Sequence, residues 1–77
     1  MSQITGAYYG VWNTVNVVTD VVKGMYGNGT REFHADYHTY GDPCPGYTKY
    51  LLIAWEQNGV PRAGIVADND GHCIRIP

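Results

Sequence analysis

The chain has 77 residues, a net charge of −2 and 44% hydrophobic residues, which bounds it to one domain near the lower size at which a core alone stabilises a fold. Only 16% of its residues are charged, against about a quarter in average soluble proteins, while seven tyrosines and two tryptophans supply much of the apolar surface. The few scattered Lys and Arg residues form no patch that would displace counterions from nucleic acid. No apolar run reaches the roughly 18 residues of a membrane span, and no charged-then-apolar leader follows Met1, so the default expectation is a cytoplasmic protein.

Taken in chain order, residues 4–11 (ITGAYYGV) alternate loosely and read as a first strand. The β-branched run Val15-Asn16-Val17-Val18 favours a second. Thr19 followed by Asp20 has the form of an N-cap with an acidic first turn, and Val21, Val22 and Met25 share a helical face; a short helix over about 20–26 is predicted, closed by Gly27 or Gly29. After the Asn28-Gly29 turn, TREFHADYHT alternates: Phe33, Ala35 and Tyr37 one way, His34, Asp36 and His38 the other. The knot GDPCPG (41–46) breaks the chain, because Pro43 and Pro45 cannot donate to a ladder. YTKYLLIAWEQ (47–57) is the strongest strand. Asn58-Gly59 is a preferred hairpin turn, and VPRAGIVAD returns from it. Asp70-Gly71 then leads into HCIRI as the last strand. Together these elements predict a single domain over residues 1–77, mainly β with an α+β arrangement as the alternative. Its form is a small antiparallel sheet or sandwich of four or five strands with at most one short helix.

The hairpin turn fixes a register in which paired positions sum to 117. One face then carries Tyr50–Ala67, Leu52–Ile65 and Ala54–Ala63, all apolar, and Leu52 and Ile65 are expected to be core partners. The other carries Lys49–Asp68, Leu51–Val66, Ile53–Gly64 and Trp55–Arg62, with Gly64 leaving room opposite Ile53. So short a chain has little material to cover both faces, so self-association into a homo-oligomer is expected.

Cys44 and Cys73 fit no zinc spacing. A disulfide between them would close a loop of about 30 residues, worth roughly 3–4 kcal/mol; the alternative is two reduced, partly buried thiols. His34-x-Asp36-x-His38 sets three possible ligands on one strand face, but the arrangement is loose and reads better as a polar surface, so neither a metal nor a cofactor is expected. Ser2 is the only serine, no phosphate loop is present, and no catalytic motif stands out. The knot either turns the chain, with Asp42 bonding backbone N–H groups, or orders a binding loop. Around it lie hydrogen-bonding groups (Asp36, His38, Asp42) and candidate stacking plates (Tyr40, Trp55), a combination suited to glycan. A second possible site lies around Tyr8, Tyr9 and Trp12. The same aromatic residues are equally suited to core packing.

The run YGDPCPGYTKYLLIAW with NGVPRAGIVADNDGHCIRIP resembles the C-terminal domain of a DnaJ-type (subfamily C) mitochondrial co-chaperone, as a free-standing copy. Its carriers are Asp42-Pro43-Cys44-x-Gly46, Lys49, the Gly59-Val60 return, the closing Arg75-Ile76-Pro77, and upstream Tyr8-Tyr9-Gly10 with the VTDVV run. The likeness covers nearly the whole chain and implies a fold together with a protein–protein interaction or assembly role. In size and aromatic content the chain also resembles small microbial and mushroom lectins. The leading expectation is a non-enzymatic carbohydrate-binding protein acting through Asp36, His38, Tyr40, Asp42 and Trp55; the alternative is an interaction or assembly domain.

Overall fold

The computed structural model describes residues 2–77. Its centre is the long strand β1 (Ser2–Val11) lying antiparallel to β4 (Tyr50–Gln57). The hairpin partner β2 (Thr14–Val17) flanks β1 on one side, and β5 (Val60–Ala67) flanks β4 on the other. A second, two-stranded sheet pairs β3 (Glu32–Phe33) with β6 (Ile74–Arg75). Helix α1 (Thr19–Gly27) and a single helical turn, α2 (Tyr37–Tyr40), complete the fold. The domain is mainly β, as expected.

The β4–β5 register follows the turn rule along its whole length, from Tyr50–Ala67 to Gln57–Val60. Asn58 and Gly59 both adopt positive φ, 53° and 82°, the conformation a two-residue primed turn requires. In β1 the register slips between Ile4 and Gly6. The extra residue, Thr5, resets the alternation so that Ile4, Ala7 and Tyr9 all point inward. β2 ends opposite Tyr8, and the backbone groups of Ala7 just beyond it find other partners. Val18 N–H donates to the Ala7 carbonyl (2.9 Å), and Ala7 N–H donates to Thr19 Oγ1 (3.1 Å). Thr19 is thus spent on the sheet rather than on capping α1, whose cap position is Val18 without a side-chain bond.

The core lies on one side of the main sheet. Ile4, Ala7, Tyr9, Leu51, Ile53, Trp55 and Val66 face Val18 and Val22 of the α1 region, Phe33, Tyr40, and Ile74 and Ile76 of the last segment. The room left by Gly64 is taken by Ile74: a Cβ on Gly64 would meet Ile74 Cγ2 at 3.0 Å. The inward face of the hairpin is therefore the Leu51–Ile53–Trp55 side. This corrects the expectation that Leu52 and Ile65 are core partners; the pair exists, but Leu52 is 38% and Ile65 63% exposed.

The alternation expected over residues 32–38 stops after Phe33. Asp36 instead caps α2, accepting from His38 N–H (2.9 Å) and Thr39 Oγ1 (3.2 Å). A carboxylate two residues before a free N–H offers the backbone an alternative to a ladder. His34, Asp36 and His38 therefore do not share a strand face.

Candidate functional site

The knot between α2 and β4 is built around one ammonium group. Lys49 is only 5% exposed. Its Nζ lies 3.1 Å from Asp42 Oδ1 and 3.7 Å from Asp68 Oδ2, and it donates to the Tyr47 carbonyl at 2.8 Å. Asp42 also accepts from Cys44 N–H (3.3 Å), and Gly41 and Gly46 supply the positive φ values that let the loop fold back. Asp68 is held in turn. Its carboxylate accepts from Lys49 N–H (2.9 Å) and from the Tyr9 hydroxyl (2.6 Å), and its own N–H donates to the Lys49 carbonyl (2.8 Å). Burial disfavours charge on Lys49, yet the two carboxylates outweigh it and raise its pKa. Burial, and then Asp68, push the Tyr9 phenol well above its ordinary range. The knot does turn the chain, and it does so by wrapping a buried cation.

Beside this hub lies a polar cleft of about 610 Å³ between α2, the knot and the turn after β5. Asp36, His38 and Asp42 all line it, so three of the five residues singled out from the sequence come together. Tyr40 and Trp55 do not join them. They are 5% and 7% exposed and belong to the core: the Tyr40 ring packs 5.4 Å from that of Tyr9, and its hydroxyl is directed at Met25 Sδ. Neither presents a ring face to solvent, which corrects their reading as stacking plates. Burial, with Asp36 adding to it, raises the Tyr40 pKa to about 12. The exposed aromatic residues at the cleft are Tyr37 and Tyr47. Tyr37 and His38 form a tilted ring pair 4.1 Å apart. All three tyrosines sit beside polar or turn residues in the sequence, Tyr40 between Thr39 and Gly41, so no local signal separates the exposed pair from Tyr40.

A second surface occupies the outward face of the main sheet. Register places Val17, Tyr8, Leu52 and Ile65 in one row across all four strands. Val15, Gly10, Tyr50 and Ala67 form the next, and Gly6, Ala54 and Ala63 a third. Not one residue in these rows is charged. Trp12, in the β1–β2 turn, stands at the end of the face and is 90% exposed. With Tyr8, Val15, Tyr50, Leu52 and Ile65 it encloses an apolar groove of about 540 Å³. Of the alternative trio around the first strand, Tyr8 and Trp12 are on this groove, whereas Tyr9 is fully buried. Among the described residues no helix is long and apolar enough to cross a membrane, and Cys44 and Cys73 are free thiols. Compared with known proteins, the chain matches no described family, no curated protein and no solved structure.

Proposed function

We propose that this chain is a non-enzymatic assembly domain whose apolar sheet face binds a second copy of itself. The observation that carries this reading is the composition of that face. One-sided antiparallel sheets ordinarily present polar residues to water, whereas here three consecutive rows are apolar. Contiguous exposed apolar surface of this kind marks interaction sites. A second copy is the occupant that suits it. The three rows hold no charge for a partner to match. The fourth, Gln3–Glu56–Pro61, sets one carboxylate at the margin, so a two-fold, self-complementary contact over the apolar rows need bury none. The Ala54–Ala63 pair keeps part of the surface low, while the Tyr8 ring lies over Gly6, so two sheets can approach to about 10 Å. Four strands and three rows make a patch roughly 20 Å on a side, about 400 Å² in plan per copy before side-chain relief and Trp12 are added. That brings a face-to-face pair near the roughly 1,200 Å² total at which specific interfaces begin. An assembly role is also the class that the resemblance to the co-chaperone C-terminal domain implies. Sedimentation over a concentration series is expected to give a dimer, and Leu52→Lys with Ile65→Lys a folded monomer. A wild-type protein that stays monomeric at high micromolar concentration refutes the reading.

The polar cleft favours a second reading, glycan binding. Asp36, His38 and Asp42 offer hydrogen-bonding groups beside the exposed rings of Tyr37 and Tyr47, the pairing of short polar groups with an aromatic face that sugar recognition uses. A glycan array should then show reproducible binding that Tyr47→Ala removes. Silence from the wild-type protein disposes of this reading and leaves the first intact.

A further inference from the structure

The small sheet carries a cluster on the side away from the core. β3 and β6 pair Glu32 with Arg75 and Phe33 with Ile74, and the same register continued by one step sets His34 opposite Cys73. Phe33 and Ile74 are buried in the core, so strand alternation turns Glu32, His34 and Cys73 to the outer face. There a Glu32 carboxylate oxygen, a His34 ring nitrogen and Cys73 Sγ all lie within 4.8 Å of one another.

We propose that Glu32, His34 and Cys73 form a binding site for a zinc(II)-type transition-metal ion. The donor set decides the class. Thiolate, imidazole and carboxylate together suit zinc, whereas calcium and magnesium take oxygen ligands. Ligand bonds of about 2.0–2.3 Å place donors on a tetrahedral ion some 3.3–3.8 Å apart. The three side chains therefore need to close by about 1 Å, which rotation of the exposed Glu32 and His34 side chains supplies. Their backbone does not have to move, since Phe33 and Ile74 pin the two strands between the ligands. Three protein ligands leave a fourth position for water, and binding releases the thiol proton of Cys73. Arg75 competes: its Nη2 lies 2.9 Å from Glu32 Oε2. That pair is solvent-exposed on both sides and contributes little, so a divalent ion at the site displaces or shares it.

The test uses reduced, metal-free full-length protein titrated with Co(II) and then Zn(II). One equivalent of Co(II) is expected to give a thiolate-to-cobalt charge-transfer band, which Zn(II) abolishes. Cys73→Ser should lose the band, and Cys44→Ser should keep it. His34→Ala and Glu32→Gln should each weaken Zn(II) binding at least about tenfold, with far-UV circular dichroism confirming that every variant folds. No charge-transfer band in the wild-type protein overturns the proposal. So does a band that depends on Cys44 instead of Cys73, or wild-type Zn(II) affinity in both the His34 and Glu32 variants.

Discussion

The two faces of the β4–β5 hairpin make an instructive pair. Inward, Leu51, Ile53 and Trp55 are sealed by residues from four other segments; outward, Tyr50, Leu52 and Ile65 remain open to solvent. Both faces are apolar at their centres, so hydropathy alone does not distinguish them. What does distinguish them is how each one ends. The inward face closes on the Lys49–Asp68 pair and on Gly64, where the chain supplies a wrapped cation and a notch for Ile74. Polar groups with assigned partners mark the face the protein itself covers, and the outward face has none.

The most damaging way to challenge this contrast is to truncate inward. Ile53 is fully buried between β1 and β5, and Ile53→Ala is expected to cost about 2–5 kcal/mol in urea unfolding. A cost below about 0.5 kcal/mol would mean the core lies on the other side. Alkaline pH probes the same side more gently. The phenols of Tyr9 and Tyr40 have raised pKa values in the folded protein, Tyr40 to about 12, against about 10 when unfolded. A raised folded pKa gives stability that is complete below pH 10 and is lost as pH climbs from 10 toward 12. The melting temperature should therefore decline over that window, less steeply in Tyr40→Phe; an unchanged slope in that variant would show that Tyr40 does not hold its proton in the fold. Smallest of all is the outward truncation. In a dilute, monomeric sample Leu52→Ala should cost under about 1 kcal/mol, because the side chain is already partly hydrated. A loss equal to that of Ile53→Ala would erase the distinction between the faces.

Much of the main sheet was legible in the sequence, because Asn58-Gly59 sets the hairpin register by local geometry alone. Which face lies inward was not, since the covering residues, Val18, Val22, Phe33, Tyr40, Ile74 and Ile76, all lie outside the hairpin and reach it through loops whose path the hairpin's own pattern does not specify. Both strands of the second sheet lie inside stretches that read as extended, TREFHADYHT and HCIRI, but no turn joins them, so their pairing has no local signal. Asp36 and His38 do meet at the cleft, but through a helical turn rather than a strand face: the capping carboxylate of Asp36 ends the alternation. Tyr40 and Trp55 illustrate the limit for aromatic side chains, whose chemistry suits a core and a platform equally. Lys49 was half visible, as Asp68's partner across the ladder, yet its wrapping by Asp42 and the Tyr47 carbonyl depends on a loop path that composition does not specify.

The order of the strands has a further consequence for how far association can run. The sheet's two edges are β2, only four residues long, and β5, which carries Pro61 and Arg62 near its start. A short edge and a proline lacking an N–H are poor templates for an added strand. Growth along the hydrogen-bonding direction, the route to fibrils, is thereby discouraged. A face-to-face contact, by contrast, uses up the sticky surface of both participants at once. If the proposed self-association holds, the strand order therefore favours a closed pair over an open stack of strands.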